Sequence, residues 1–224
     1  MKLMLTALLA LLPLVPQDLP HAFPRDGATQ LFDNERVTIW DVTWIKGEPS
    51  PMHRHRYDLV GVYLVGSAIT ITMPDGTARE SVVDPDFVLF QPKGVTHIEE
   101  GAVDENPRHA ILIDVKDHVA APVANTSGFP DAFPRDGARK VIDNERVVIW
   151  DYRWTAGEPT PMHFHGRDVV AVFLDEGELR STTPDGRSDV TRVTRGLANF
   201  TPGNRTHTEA LVSGTPRIIA VELK

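Results

Sequence analysis

The chain carries one pattern twice. From position 21 it reads HAFPRDGATQLFDNERVTIWDVTWIKGEPSPMHRHRYDLVGVYL, and from position 131 it reads DAFPRDGARKVIDNERVVIWDYRWTAGEPTPMHFHGRDVVAVFL. The offset is a constant 110 residues, and 31 of the 56 aligned positions between 21–76 and 131–186 are identical. An internal duplication of this kind restricts the fold to one architecture used twice. Each copy is long enough to bury a core of its own. The expected units are 21–116 and 131–224. The stretch 117–130, DHVAAPVANTSGFP, has neither strand nor helix pattern and reads as the linker between them.

Within each copy the apolar residues recur at strand spacing. RVTIWDVTW and RVVIWDYRW alternate, and LVGVYLV, AITITM, FVLF, AILIDV and RIIAVEL are short and rich in β-branched residues. Pro-Asp-Gly at 74–76 and 184–186, and Gly-Glu-Pro at 47–49 and 157–159, mark turns. No long stretch has a helical period. Many short strands with regular turns predict an all-β sandwich or barrel in each unit.

A net charge of -8, with no basic patch, argues against nucleic acid or an anionic membrane surface as a main partner. Cysteine is absent, so neither disulfides nor thiolate chemistry are available. Residues 1–20 are expected to hold a signal peptide. Lys2 supplies a positive start, Leu3 to Leu12 an apolar run too short to span a bilayer, and nothing equivalent precedes the second copy. Cleavage between Pro16 and Ala22 would leave a secreted or periplasmic protein with no membrane segment.

The histidines carry the chemistry. Each copy has a His-x-His pair and a lone histidine 42 residues after the second of the pair: His53, His55 and His97, then His163, His165 and His207. Alternate residues of a strand point to one face, so each pair projects together and can share a metal ion. A third imidazole from a distant strand completes a set with open positions for substrate or water, the catalytic rather than the structural pattern. The remaining histidines, His21, His109 and His118, have no histidine at the matching position and read as surface or ordinary residues.

Taken with their surroundings, these motifs resemble the cupin superfamily, and the whole chain resembles a bicupin. The first cupin motif is matched by Gly47, EPSPM, His53 and His55, then Val60 and Ser67; in the second copy by Gly157, EPTPM, His163 and His165, then Val170 and Gly177. The second motif is matched by Asp86, Pro92, Gly94, His97 and Gly101, and by Gly196, Pro202, Asn204, His207 and Leu211. The resemblance implies two tandem small β-barrels of the double-stranded β-helix, jelly-roll type. It also implies a divalent transition metal (Fe, Zn, Mn, Cu or Ni) and a small-molecule ligand or substrate, in a monomer or homo-oligomer. The family's glutamate ligand is replaced, by Val60 and Val170 on this alignment. That is similar to cupins with three-histidine sites, some of them non-haem iron dioxygenases, and unlike the oxalate decarboxylases, whose sites add a glutamate.

Other carboxylates recur near the histidines. Glu99 and Glu209 lie two residues after the lone histidine and share its strand face, which makes them candidate catalytic residues: acceptors for a ligating imidazole, general bases, or a fourth ligand. Asp58 and Asp168 follow each pair by three residues and are weaker candidates. Trp40, Trp44, Trp150 and Trp154 read as core, and Arg36 and Arg146 as partners of nearby acids. The expected function is an exported metal-binding bicupin, a dioxygenase of a small organic molecule. The alternatives are a non-enzymatic ligand-binding bicupin, or a Zn- or Mn-dependent isomerase, lyase or hydrolase.

Overall fold

A computed structural model describes residues 19–224. The expected signal peptide lies almost wholly outside the described residues. The described chain contains only strands and loops. In the first unit these are β1 (Ala28–Asp33), β2 (Val37–Thr43), β3 (His53–Arg54), β4 (Asp58–Val65), β5 (Ala68–Thr72), β6 (Ala78–Val82), β7 (Val88–Gln91), β8 (Thr96–Gly101) and β9 (His109–Val115). The second unit repeats them as β10 (Arg139–Asp143), β11 (Val147–Arg153), β12 (His163–His165), β13 (Val169–Phe173), β14 (Gly177–Thr182), β15 (Ser188–Val193), β16 (Ala198–Thr201), β17 (Arg205–Gly214) and β18 (Arg217–Leu223).

Each unit closes two antiparallel sheets on one another. In the first the orders are β1-β2-β9-β4-β7 and β3-β8-β5-β6, and the second repeats them as β10-β11-β18-β13-β16 and β12-β17-β14-β15. The Pro-Asp-Gly segments make the tight turns from β5 to β6 and from β14 to β15. Gly76 and Gly186 sit there at φ of 83° and 84°, where a side chain would be strained.

The larger sheets do not alternate apolar with polar, and their packing explains why. On β4, Leu59 and Tyr63 face the interior of the first barrel, while Val60, Val62 and Leu64 face out. On β9, Ala110 and Leu112 face in, while Ile111, Ile113 and Val115 face out. The outward faces of the two units meet: Val37, Ile39, Val60 and Ile113 join Val147, Ile149, Val170 and Val221 in one core. A sheet buried on both faces must be apolar on both faces. At the rim of this shared core Phe32 stacks on Phe200 at 5.3 Å. Arg36 pairs with Asp168 at 3.2 Å and Arg146 with Asp58 at 2.8 Å. Each arginine therefore takes the acid of the other unit, a two-fold exchange built from one duplicated pair.

Ile149 is completely buried in this shared core. Ile149→Ala is expected to lower unfolding free energy by about 2–5 kcal/mol, the range for deleting a buried aliphatic side chain. Urea unfolding checks this; a change of the size seen for surface substitutions would mean that the two barrels do not share a core.

Candidate metal centre

Sheet pairing brings each histidine triple together. His53 on β3 lies opposite His97 on β8, and His163 on β12 lies opposite His207 on β17. His55 and His165 follow at the next residue of the same face. All six are buried, and within each triple one nitrogen from each ring lies within 4.8 Å of the other two. The Nε2 atoms of His55 and His97 are 3.2 Å apart, those of His163 and His165 3.2 Å, and those of His165 and His207 3.1 Å. His53, His55 and His97, and likewise His163, His165 and His207, would hold a divalent cation between them, which would supply Lewis acidity.

The tautomers are set from behind. The Nδ1–H of His53 donates to the Pro51 carbonyl at 2.9 Å, and that of His163 to the Pro161 carbonyl at 2.8 Å. This leaves Nε2 as a lone pair turned to the centre, and His53 Nε2 is buried with no hydrogen-bond partner. His207 Nδ1 is 2.9 Å from the Ser181 hydroxyl. Burial pushes the imidazoles down, to about 4 for His53 and His207 and about 3 for His55, with His97, His163 and His165 shifted the same way. Buried, neutral imidazoles with converging lone pairs are the donor set a divalent transition metal takes. The residues fit the group.

Glu99 and Glu209 stand beside the triples, on the strand face shared with His97 and His207. The Glu99 Oε1 is 3.5 Å from His97 Nε2. Its Oε2 accepts from the Arg25 guanidinium and from the Trp44 indole, both at 3.0 Å. Burial pushes this carboxyl up, but Arg25 and the surrounding histidines outweigh it and hold it at about 2. Glu209 is gripped more loosely, by Arg135 at 3.5 Å, and the Trp154 indole N–H is buried without a partner. Burial and charge oppose each other at Glu209 too, with His207 and Arg135 bringing it below the ordinary value.

Several sequence expectations need correction. Asp58 and Asp168 are not at the centres. They share the parity of Val60 and Val170 and point to the junction between the barrels, where each also accepts a backbone N–H of the opposite turn, from Lys93 and Gly203. Val60 and Val170 lie in the shared core, so the inward position one residue earlier, Leu59 or Val169, is the one that could have carried a carboxylate ligand. Neither is acidic. His21 is not a surface residue. Its Nε2 is 3.0 Å from Asp114, whose other bond comes from the Trp40 indole at 3.0 Å, and its ring lies edge-on to His55 at 6.4 Å.

The sequence reading missed this buried carboxylate and its counterpart Glu222, which accepts from the Trp150 indole at 2.7 Å and is raised by burial. Their signal was an acid in an otherwise apolar closing strand, AILIDV and IIAVEL. It also missed Arg25 and Arg135, although FPRDG recurs intact in both copies. Sequence spacing places that arginine in a turn, and only the fold lays it across the barrel mouth.

No protein-family model matches the chain. A 60-residue stretch is 38% identical to the β-alanine degradation protein BauB of Pseudomonas aeruginosa, covering 27% of this chain and 59% of that protein. The match thus spans about three-fifths of the curated relative. Among solved structures, a cupin 2 conserved barrel domain protein from Leptotrichia buccalis superposes with a TM-score of 0.57 at 15% identity, over 88% of both chains. A mutant of Bacillus subtilis oxalate decarboxylase OxdC superposes with a TM-score of 0.59 at 11% identity, over 91% of this chain and 74% of that one. At such identities the likeness is one of fold. The fold is that of a bicupin, two cupin-like barrels in one polypeptide, each with a histidine triple. Within that class this chain has three histidines at each centre and no acid at the inward position that follows each pair.

Proposed function

We propose that this chain is an exported, metal-dependent bicupin enzyme of the dioxygenase type, acting on a small organic molecule. The observation that carries the reading is the convergence of three neutral imidazole lone pairs on one point in each barrel, with no protein acid completing the set. A divalent ion held there supplies Lewis acidity and, if redox-active, electron transfer. The chain's own groups do the rest. The carbonyls of Pro51 and Pro161 hold two imidazoles in the ligating tautomer, and apolar side chains such as Val169, Ala171 and Phe173 line part of the space beside the second centre. Glu209 offers a carboxylate beside His207 that orients a substrate proton or hydroxyl. The stretch shared with a β-alanine degradation protein supports a small polar metabolite as substrate. Export rests on Lys2 and the apolar run after it, and metal would then be acquired after translocation.

One observation favours the ligand-binding alternative for the first barrel. The Glu99 Oε2 accepts from both the Arg25 guanidinium and the Trp44 indole at 3.0 Å, and a carboxylate held so tightly is a weak proton acceptor.

The test is oxygen uptake by Fe(II)-reconstituted protein against a panel of small organic acids, diketones and thiols. At least one substrate is expected to drive uptake, and Glu209→Gln to lower it roughly 10–100-fold with metal content retained. No uptake across the panel, with turnover on a Zn- or Mn-loaded sample, would replace oxidation by isomerase, lyase or hydrolase chemistry. Unchanged turnover in the variant would remove Glu209 from the mechanism.

A further inference from the structure

The two centres share their histidines but not their surroundings. In the second barrel a cavity of about 220 Å³ reaches His165, His207 and Glu209. Register alignment of the copies shows what opens it. Ala220 stands opposite Ala171 where Leu112 stands opposite Gly61 in the first barrel. Asn199 replaces Leu89, and Ser181 replaces Ile71. The first barrel fills this region with leucine, isoleucine and Tyr63, and Arg108 lies over the Tyr63 ring with its donors on the Ser67 and Ser81 carbonyls.

Arg205 lines the cavity of the second barrel, paired in register with His165; the residue against His55 in the first barrel is Val95. Arg205 has no ion pair and no side-chain hydrogen bond among the described residues, and its Nε is buried without a partner. The Trp154 indole N–H on the same cavity is also unpartnered, as is Arg135 Nε. Trp44, the counterpart of Trp154, is satisfied by Glu99. A buried donor left unpaired is destabilising, and here three of them surround one space. At the first centre the Arg25 guanidinium is bonded to Glu99 and that of Arg108 to the Ser67 and Ser81 carbonyls, whereas at the second Arg205 has no such partner among the described residues.

We infer that the second barrel is the substrate-receiving one, and that Arg205, with the Trp154 indole, selects a small carboxylate. This rests on the reading above for the chemistry at the histidines, but the recognition of the anion belongs to the chain itself. A guanidinium presents a planar fork matched to a carboxylate, and the indole adds a third donor.

Calorimetric titration of malonate and of its neutral analogue malonamide tests this, on metal-free and Zn-loaded full-length protein. Malonate is expected to bind at one equivalent per chain and malonamide at least tenfold more weakly. Arg205→Val, which copies the first barrel, and Arg205→Gln are each expected to weaken malonate at least tenfold. Arg180→Gln, the same charge change at an exposed position, is expected to leave it unchanged. Circular dichroism confirms that the variants fold. Equal affinity for the two probes, two equivalents of malonate, no malonate binding, or full affinity in both Arg205 variants would overturn the inference. Arg205-dependent binding in a protein that takes up no metal would leave it standing and remove the metal reading. Metal uptake with Arg205-independent binding would do the reverse.

Discussion

His55→Ala and His165→Ala are each expected to leave one equivalent of transition metal per chain where the unaltered protein holds two, and the double variant none. Each replacement removes one of three converging nitrogens. His55 Nε2 is 3.2 Å from that of His97, and His165 Nε2 lies 3.2 and 3.1 Å from its two neighbours. Two neutral imidazoles and water are a poor substitute for three, and no acid sits at the inward position to compensate. The centres are built from separate sheets, so loss at one should not empty the other. Mass-spectrometric metal analysis after reconstitution reads the result directly. An unaltered protein that stays metal-free after reconstitution would make these buried histidines structural. Loss of both equivalents in one single variant would show that the two centres are coupled through the shared core. At nitrogen ligands, divalent affinity favours Cu and Zn over Fe and Mn, so the metal found on isolation need not be the working one.

The second large effect is on acid stability. Stripped of metal, the protein is expected to lose stability as pH falls from about 6.5 toward 4. The sign follows from linkage. The six imidazoles have folded-state values below their unfolded value, so the unfolded chain binds protons first. Their contribution is complete above pH 6.5 and is lost as pH falls through the folded values, about 4 for His53 and His207 and about 3 for His55. One unit is worth about 1.4 kcal/mol, so a shift of the size at His53 corresponds to roughly 3 kcal/mol. Interaction among the rings makes the sum less than additive. Glu99 acts in a different window. It is held at about 2 against an ordinary 4.5, so its stabilising share is lost only below pH 4.5. Urea unfolding midpoints at pH 7.5, 6 and 5, with and without Zn, separate these. The metal-free midpoint should fall steeply across that range, and the loaded midpoint much less, because a ligated nitrogen cannot take a proton. A flat metal-free profile would show that the rings are already charged or solvated in the folded state.

The strands and the grouping of the six histidines were legible because they depend on local rules. Period-two patterning and Pro-Asp-Gly turns mark strands, and i, i+2 spacing places His53 with His55 whatever the rest of the chain does. The parity rule also placed Glu99 on the face of His97. Parity also turns Asp58 and Val60 away from His55; it was the motif alignment that put Val60 in the ligand position, and which face looks inward depends on what covers the outside of the sheet. A strand buried on both sides, such as DLVGVYLV, offers no polar face to orient it. His21 and Arg25 were illegible for another reason: their partners, Asp114 and Glu99, lie 93 and 74 residues away.

The sequence by itself determined that one all-β unit would be built twice and that three imidazoles would recur in each, since duplication and strand periodicity are properties of neighbouring residues. Only the tertiary structure decided that the two barrels are joined face to face through Ile39 and Ile149, with Arg36 and Arg146 exchanging acids. It also decided that the two centres differ: Glu99 is locked by Arg25 and Trp44, while Arg205 and Trp154 leave unpaired donors around an open cavity. Side-chain volume and unsatisfied hydrogen bonds are properties of a packed interior. Leu112 against Ala220, or Val95 against Arg205, acquires meaning only once the closed barrel shows which side chains share its space.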